Sequence, residues 1–193
     1  MAEPIKCDRQ TNTSQLKPQL IPSSNNGLMV MISPSPHPPI PPSHLSPTVL
    51  VIGYGNLLRG DDGIGQTVAM RVEEWEWMNV RSRAVHQLMP ELAQELSAVQ
   101  LAIFVDAALS GDDVTLSKLE AVPEQGLPWG HSLSPPRLLS LCQWLYHTVP
   151  QAWMISVPGV DFSDSDRLSP LAQQRVKIAL NHITHLIQNR HTL

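Results

Sequence analysis

The hydrophobic residues after Thr48 fall into alternating strand and helix patterns. Residues 48–52 (TVLVI) are apolar at nearly every position, which predicts a strand buried on both faces. From Ile64 onward apolar residues recur every three or four positions with glutamates between them, which predicts an amphipathic helix. Later segments continue the alternation, with a short strand predicted to close at 84–86, further strands over 101–106, 114–122 and 153–157, and helices over 91–96, 138–146 and 168–187. This order predicts an α/β fold with a mainly parallel, twisted sheet of about five strands and helices on both faces.

Residues 1–47 differ in composition from the remainder of the chain. They hold ten of the 18 prolines, and six of these lie among the nine residues 34–42. Large apolar residues do not recur there at a regular spacing, so the segment cannot bury enough surface to offset its backbone entropy. We therefore predict a disordered Pro/Ser-rich tail over 1–47 and one α/β domain over 48–193.

The overall composition excludes several classes of protein. The net charge is −4 and the isoelectric point is near 6.0, so the chain lacks the basic character of a nucleic-acid-binding protein. Cys7 and Cys142 lie far apart in dissimilar contexts and do not form a disulfide framework. No apolar run approaches the roughly 18 residues of a membrane span. We expect a cytoplasmic protein that does not bind membranes and for which a monomer is adequate.

The glycine-rich loop after the first strand raises the question of nucleotide binding. Its sequence, GYGNLLRGDDGIG over residues 53–65, does not have the glycine spacing of a dinucleotide fingerprint, and no lysine follows Gly60. Asp61 and Asp62 stand instead at the predicted helix start, where they would repel a phosphate. One of the two is predicted to cap the helix, with Asp61 favoured, and the other to face a cation. Both are expected to titrate low.

Three distant polar residues are predicted to meet at one edge of the sheet. Asp62 follows the first strand, and Asp106 ends the strand predicted over 101–106. His131 lies in a loop that the order of elements allows to reach the same edge. Ligands of open parallel sheets bind at the carboxyl ends of the strands. Two carboxylates and one imidazole would suit a divalent transition metal of intermediate softness.

The motifs around these residues resemble those of the nickel–iron hydrogenase maturation endopeptidases. The resemblance rests first on VIGYGNLLRGDDGIG (residues 51–65). It continues in order through PEL (90–92), IFVDA (103–107), HSLS (131–134), VPG (157–159) and LSP (168–170). The segment HQLMPEL (86–92) is similar to the branch of the family that serves cytoplasmic bidirectional, NAD-linked hydrogenases.

The resemblance implies a specific activity. Members of the family remove a short C-terminal peptide from the hydrogenase large-subunit precursor after nickel insertion, which lets that subunit close around its metal site and activates the enzyme. The metal-contacting positions of the family correspond to Asp62, Asp106 and His131. The implied cofactor is nickel, as the ion of the precursor itself, and the same three residues would serve in catalysis. Whether nickel serves recognition or catalysis, and which group is the general base, stays open from the sequence.

The resemblance has two departures, and a second function class remains. The proline-rich tail is not part of the family pattern, and neither is Pro135-Pro136, which follows the HSLS segment. A noncatalytic metal-binding or docking module for metalloenzyme assembly would use the same edge of the sheet without cutting a peptide bond. The sequence shows no serine or cysteine arrangement typical of nucleophilic catalysis. Cys142 is predicted to lie in the core.

Overall fold

The computed structural model describes residues 48–122 and 133–189. The predicted tail over 1–47 and His131 lie outside these residues. The strands are β1 (Val49–Tyr54), β2 (Val80–Val85), β3 (Leu101–Ala108), β4 (Thr115–Leu119) and β5 (Gln151–Pro158), and the helices are α1 (Ile64–Glu73), α2 (Leu92–Ser97), α3 (Pro135–Tyr146) and α4 (Pro170–Gln188). A single 3₁₀ turn, Gly60–Gly63, precedes α1.

The five strands form one sheet in the order β2-β1-β3-β5-β4. The first three pairings are parallel, and only β4 runs antiparallel to its neighbour β5. The predicted α/β fold with a mainly parallel five-stranded sheet is therefore confirmed. The prediction for β3 was too short, since the strand continues two residues past Asp106 to Ala108 and pairs with β5 over that length.

The helices cover both faces of the sheet, as the alternation predicted. Helices α1 and α4 pack on one face through a cluster that includes Val68, Ile103 and Ile183. Helices α2 and α3 pack on the other through a cluster that includes Leu96 and Phe104. Because both faces are covered, the central strands β1 and β3 are apolar at nearly every position up to Val105. No helix among residues 48–122 and 133–189 is long and apolar enough to span a bilayer.

Two glycines bring α1 directly onto the carboxyl ends of β1 and β3. A Cβ atom on Gly53 would overlap the carbonyl group of Gly65, and a Cβ on Gly65 would overlap the backbone oxygens of Tyr54 and Val105. The glycine loop therefore serves the close packing of helix and sheet. This contact fixes the start of α1, and with it the preceding 3₁₀ turn, beside the strand ends.

Candidate active site at the carboxyl edge of the sheet

The sheet topology creates a crevice between the carboxyl ends of β1 and β3. The chain leaves β1 toward β2 on one side, and it leaves the neighbouring strand β3 toward β4 and β5 on the other side. Connections that leave two adjacent parallel strands in opposite directions open a cleft above those strands, and ligands of open α/β sheets bind there. Asp62 follows β1 and Asp106 lies on β3, so the topology brings the two predicted acids to this cleft.

Asp106 lies beside Tyr54, the last residue of β1. The register pairs Gly53 with Val105, so the next residues of the two strands are neighbours, and the Tyr54 hydroxyl lies close enough to the Asp106 carboxylate to stabilise its charged form. Burial raises the pKa of Asp106 to about 6, and the negative charge of Asp62 adds to the increase. The hydroxyl of Tyr54 and the backbone N–H of Ala107 offset part of that rise. Burial and the carboxylate of Asp106 also raise the pKa of Tyr54.

Asp62 is half-buried and held in place by the loop that precedes it. Its Oδ2 accepts a hydrogen bond of 2.9 Å from the backbone N–H of Asn56. Its Oδ1 accepts none from the described residues, so one carboxylate oxygen is left for a ligand. The charge of Asp62 adds to the rise in the pKa of Asp106, so the two carboxylates lie close enough to interact electrostatically. The sequence predicted that Asp62 and Asp106 share this edge, and the structure has both at the carboxyl ends of β1 and β3; their role as metal ligands stays a prediction.

Asp61 has a different role from the predicted helix cap. Neither the 3₁₀ turn nor α1 has a side-chain cap at its start. The Asp61 carboxylate is fully buried and accepts four hydrogen bonds from the loop after β5. The donors are the backbone N–H groups of Val160, Asp161 and Ser169 and the hydroxyl of Ser169, at 2.8, 3.1, 2.7 and 2.8 Å. Asp61 therefore ties the first loop of the cleft to the last one, and the cap prediction was wrong.

The pKa of Asp61 is lower than that of an ordinary aspartate, as predicted, but for another reason. Burial opposes ionisation of the carboxyl group, and the hydrogen bonds from Val160, Ser169 and Asp161 outweigh it. The loop after β5, and not the dipole of α1, supplies the stabilisation. All four hydrogen bonds join Asp61 to the loop after β5, so Asp61 is a structural anchor.

Gly55 and Gln66 shape the backbone of the loop that carries Asp62. Gly55 has a φ of 134°, and a Cβ there would overlap the backbone oxygen of Asp62. The side-chain amide of Gln66 donates a 2.6 Å hydrogen bond to the Gly55 carbonyl, and the Gly55 N–H donates to the carbonyl of His86. These contacts hold the loop against the ends of β1 and β2.

The oxygen donors fit a metal site that needs a further ligand. Among the residues that the structure describes, no three histidine, cysteine or acidic side chains form a group that could hold a metal ion. Asp62 and Asp106 supply two of the three predicted donors, and the third, His131, lies outside the described range. An incomplete set of donors is thus the expected outcome for the part of the chain that is described.

The predicted core position of Cys142 is confirmed, and two further polar residues, Asp161 and His86, are exposed. Cys142 is fully buried on α3 and its thiol donates to the carbonyl of Thr148 at 3.1 Å, so it belongs to the core. Asp161 is exposed in a turn, where its carboxylate accepts hydrogen bonds from the backbone and hydroxyl of Ser163. His86 is exposed just after β2, next to the same loop.

Sequence reasoning missed two residues of the site. Tyr54 appeared only as part of the glycine motif, and alternation along β1 together with the pairing of β1 and β3 would have placed it beside Asp106. Ser169 appeared only in the LSP motif, inside the helix predicted over 168–187, whereas the helix begins at Pro170. Ser169 caps α4 by accepting from Ala172, and its N–H and hydroxyl also bind Asp61.

Comparison with known proteins finds similar solved structures but no matching family profile or curated sequence. Nine solved chains are similar, among them three that each cover about three quarters of this chain. The [NiFe] hydrogenase maturation protease HycI from Thermococcus kodakarensis is 21% identical with a TM-score of 0.56, over 74% of this chain and 94% of its own.

The other two structures agree with the first. The hydrogenase 2 maturation peptidase from a Thaumarchaeota archaeon is 22% identical with a TM-score of 0.56, over 72% of this chain and 97% of its own. The hydrogenase maturating endopeptidase HybD from E. coli is 20% identical with a TM-score of 0.51, over 75% of this chain and 93% of its own. The chain has the α/β fold found in the hydrogenase maturation proteases.

Proposed function

We propose that this chain is an endopeptidase that removes the C-terminal extension of a nickel–iron hydrogenase large-subunit precursor. In this proposal Asp62, Asp106 and His131 contact the nickel that the precursor already carries. The proposal is supported mainly by one observation, the electrostatic interaction of Asp62 with Asp106 at the carboxyl ends of β1 and β3. The shared fold and the quoted motifs supply the reaction class.

The packing near the start of α3 supports the inclusion of His131. Leu133, two residues later, packs against the hydrophobic cluster on the α2 and α3 face of the sheet. Tyr54 packs against the same cluster, and its hydroxyl reaches Asp106. The chain on the carboxyl side of His131 thus joins the half of the molecule into which Asp106 points.

The electrostatics of Asp106 suit the role of a general base. A carboxylate with a pKa of about 6 is largely ionised near neutral pH and is a stronger base than an ordinary aspartate. In peptide hydrolysis the carboxylate oxygen that does not contact nickel would take a proton from the attacking water and return it to the nitrogen of the leaving peptide. The hydroxyl of Tyr54 orients the carboxylate and stabilises its charged form.

Contact with the precursor's nickel would make cleavage conditional on metal insertion. With both Asp62 and Asp106 ionised, the cleft carries two close negative charges and no described cation that pairs with either. A divalent ion presented by the precursor would relieve this repulsion. A precursor without nickel would not relieve the repulsion between the two carboxylates, so it would bind less tightly.

The test is incubation of the purified protein with nickel-loaded large-subunit precursor, followed by mass spectrometry of the precursor. We expect a single mass loss at the C-terminus. Asp62→Asn and His131→Ala should each reduce the cleavage rate by about 100-fold or more, because each removes a charge or a ligand from the nickel contact.

Glu73→Gln is the matched control. Glu73 is an exposed acid at the end of α1, so its variant should cleave at the wild-type rate. If the wild-type protein binds the loaded precursor and leaves it intact, the chain is a noncatalytic docking module. If Asp62→Asn cleaves normally, the assignment of the site is wrong.

A further inference from the structure

A groove with a cationic rim lies on the opposite face of the sheet from Asp106. It runs between α1 and α4 and has a volume of about 490 Å³. Its floor is apolar and is formed by Leu168, Val176 and Leu180. Its rim carries Arg71 from α1, Arg167 from the loop before α4, and Lys177 from α4 itself, together with Thr67 and Gln173.

The three cations of the groove have little compensation. Arg71 and Lys177 form no ion pair with any residue in the described ranges. Arg167 has only Asp166 at 3.9 Å, and both side chains are at least four-fifths exposed, so this pair contributes little. The chain as a whole has a net charge of −4. The groove is therefore locally positive although the protein as a whole is negative. Three cations with almost no acidic partners favour an anionic ligand.

The charges and the floor together indicate which anion would fit. A small ion such as phosphate would contact the cations and leave the apolar floor in water. An extended peptide with acidic and apolar side chains would satisfy both, and the volume lies in the range of sites for ligands of that size. The chain's own N-terminal tail is disfavoured on charge, since residues 1–47 carry three basic and two acidic side chains.

We infer that the groove between α1 and α4 binds an acidic, partly apolar segment of the precursor protein, remote from the cleaved bond. The inference rests on the proposed function for the identity of the partner. The loop that Asp61 anchors contributes Arg167 and Leu168 to the groove and also borders the cleft. One bound protein can therefore contact both places. The groove contributes to substrate binding, and the chemistry stays with the acids of the cleft.

The first experiment measures peptide binding directly by fluorescence anisotropy. The probe is a labelled peptide of alternating glutamate and leucine, and its counterpart has glutamine for glutamate. We expect the wild-type protein to bind the acidic peptide more tightly than the neutral one, and the double variant Arg71→Glu/Lys177→Glu to lose about tenfold or more in affinity. Lys118→Glu, which reverses an exposed lysine on β4, is the matched control and should bind as wild type does.

The second experiment measures cleavage of the nickel-loaded precursor. The double variant should show a KM raised by about tenfold with kcat within about twofold of wild type, and Lys118→Glu should change neither. Absence of cleavage by the wild-type protein counts against the proposed function and leaves the peptide experiment to decide on the groove.

Three results would overturn the inference. The first is equal affinity of the wild-type protein and the double variant for the acidic peptide. The second is displacement of the peptide by millimolar inorganic phosphate, which would identify a small-anion site. The third is a wild-type dimer in sedimentation velocity that the double variant loses, which would identify a second copy of the chain as the occupant.

Discussion

At the scale of single residues, two adjacent acids have opposite functions. Asp61 is fully buried and accepts four hydrogen bonds from a loop about 100 residues away in sequence. Asp62 accepts one, from Asn56, and faces Asp106 across the cleft. The sequence predicted the pair as a cap and a ligand. It could not reveal the anchor role of Asp61, because the donors on Val160 and Ser169 come close only in the folded protein.

We predict that Asp61→Asn and Asp106→Asn change stability in opposite directions. Asp61→Asn replaces an acceptor with an amide that faces hydrogen-bond donors, so it should lower the free energy of unfolding by about 2–4 kcal/mol. Asp106→Asn removes a charge that burial disfavours. With allowance for its partial exposure, it should raise the free energy of unfolding near pH 8 by about 1 kcal/mol. Urea unfolding measures both effects.

The pH dependence separates these two effects. The pKa of Asp106 in the folded protein lies above the ordinary 3.8. Its favourable contribution to the free energy of unfolding is therefore fully present below pH 3.8 and is lost as the pH rises through about 6. The increase in the free energy of unfolding that Asp106→Asn produces should therefore become smaller as the pH falls from about 8 to about 5. The folded pKa of Asp61 lies below 3.8, so the loss from Asp61→Asn should stay constant over that interval. A stabilisation by Asp106→Asn that is independent of pH would contradict the burial of its charge.

At the scale of elements, the contact of α1 with β1 and β3 positions the cleft. The sequence predicted the strand and the helix from their apolar patterns. The specific partners, Gly53 against Gly65, required knowledge of how closely the helix approaches the strands. The end of β3 was misplaced for a related reason. The charged residue Asp106 predicts the end of the strand because it follows an apolar run. Pairing with β5 nevertheless continues to Ala108.

We predict that Gly65→Ala destabilises the protein by about 2 kcal/mol or more. A methyl group there would overlap the backbone oxygens of Tyr54 and Val105, and backbone atoms of central strands have little room to move. Gly63→Ala is the matched control, because its added methyl would meet Leu57 at 3.2 Å and only a small shift is needed. Its cost should stay below about 1 kcal/mol. Equal losses in thermal unfolding would contradict the tight contact between α1 and the sheet.

At the scale of the whole molecule, the sequence predicted the architecture and the position of Asp62 and Asp106 at one edge of the sheet, but not the contributions of Tyr54 and Ser169. Alternating periodicity was sufficient for the α/β class and the mainly parallel sheet. The rule that strand ends share an edge was sufficient to bring Asp62 and Asp106 together. The predictions for His131, nickel and the tail over 1–47 remain predictions. The groove between α1 and α4 had no signal in the sequence, since Arg71, Arg167 and Lys177 come from three separate segments.

The most direct test of the account compares cleavage of nickel-loaded and nickel-free precursor by the same protein under the same conditions. If Asp62 and Asp106 contact the precursor's nickel, the loaded form should lose its C-terminal peptide and the nickel-free form should remain intact, as measured by mass spectrometry over a time course. Asp106→Asn should leave both forms intact. Equal cleavage of the two forms by the wild-type protein would contradict the proposed role of the carboxylate pair.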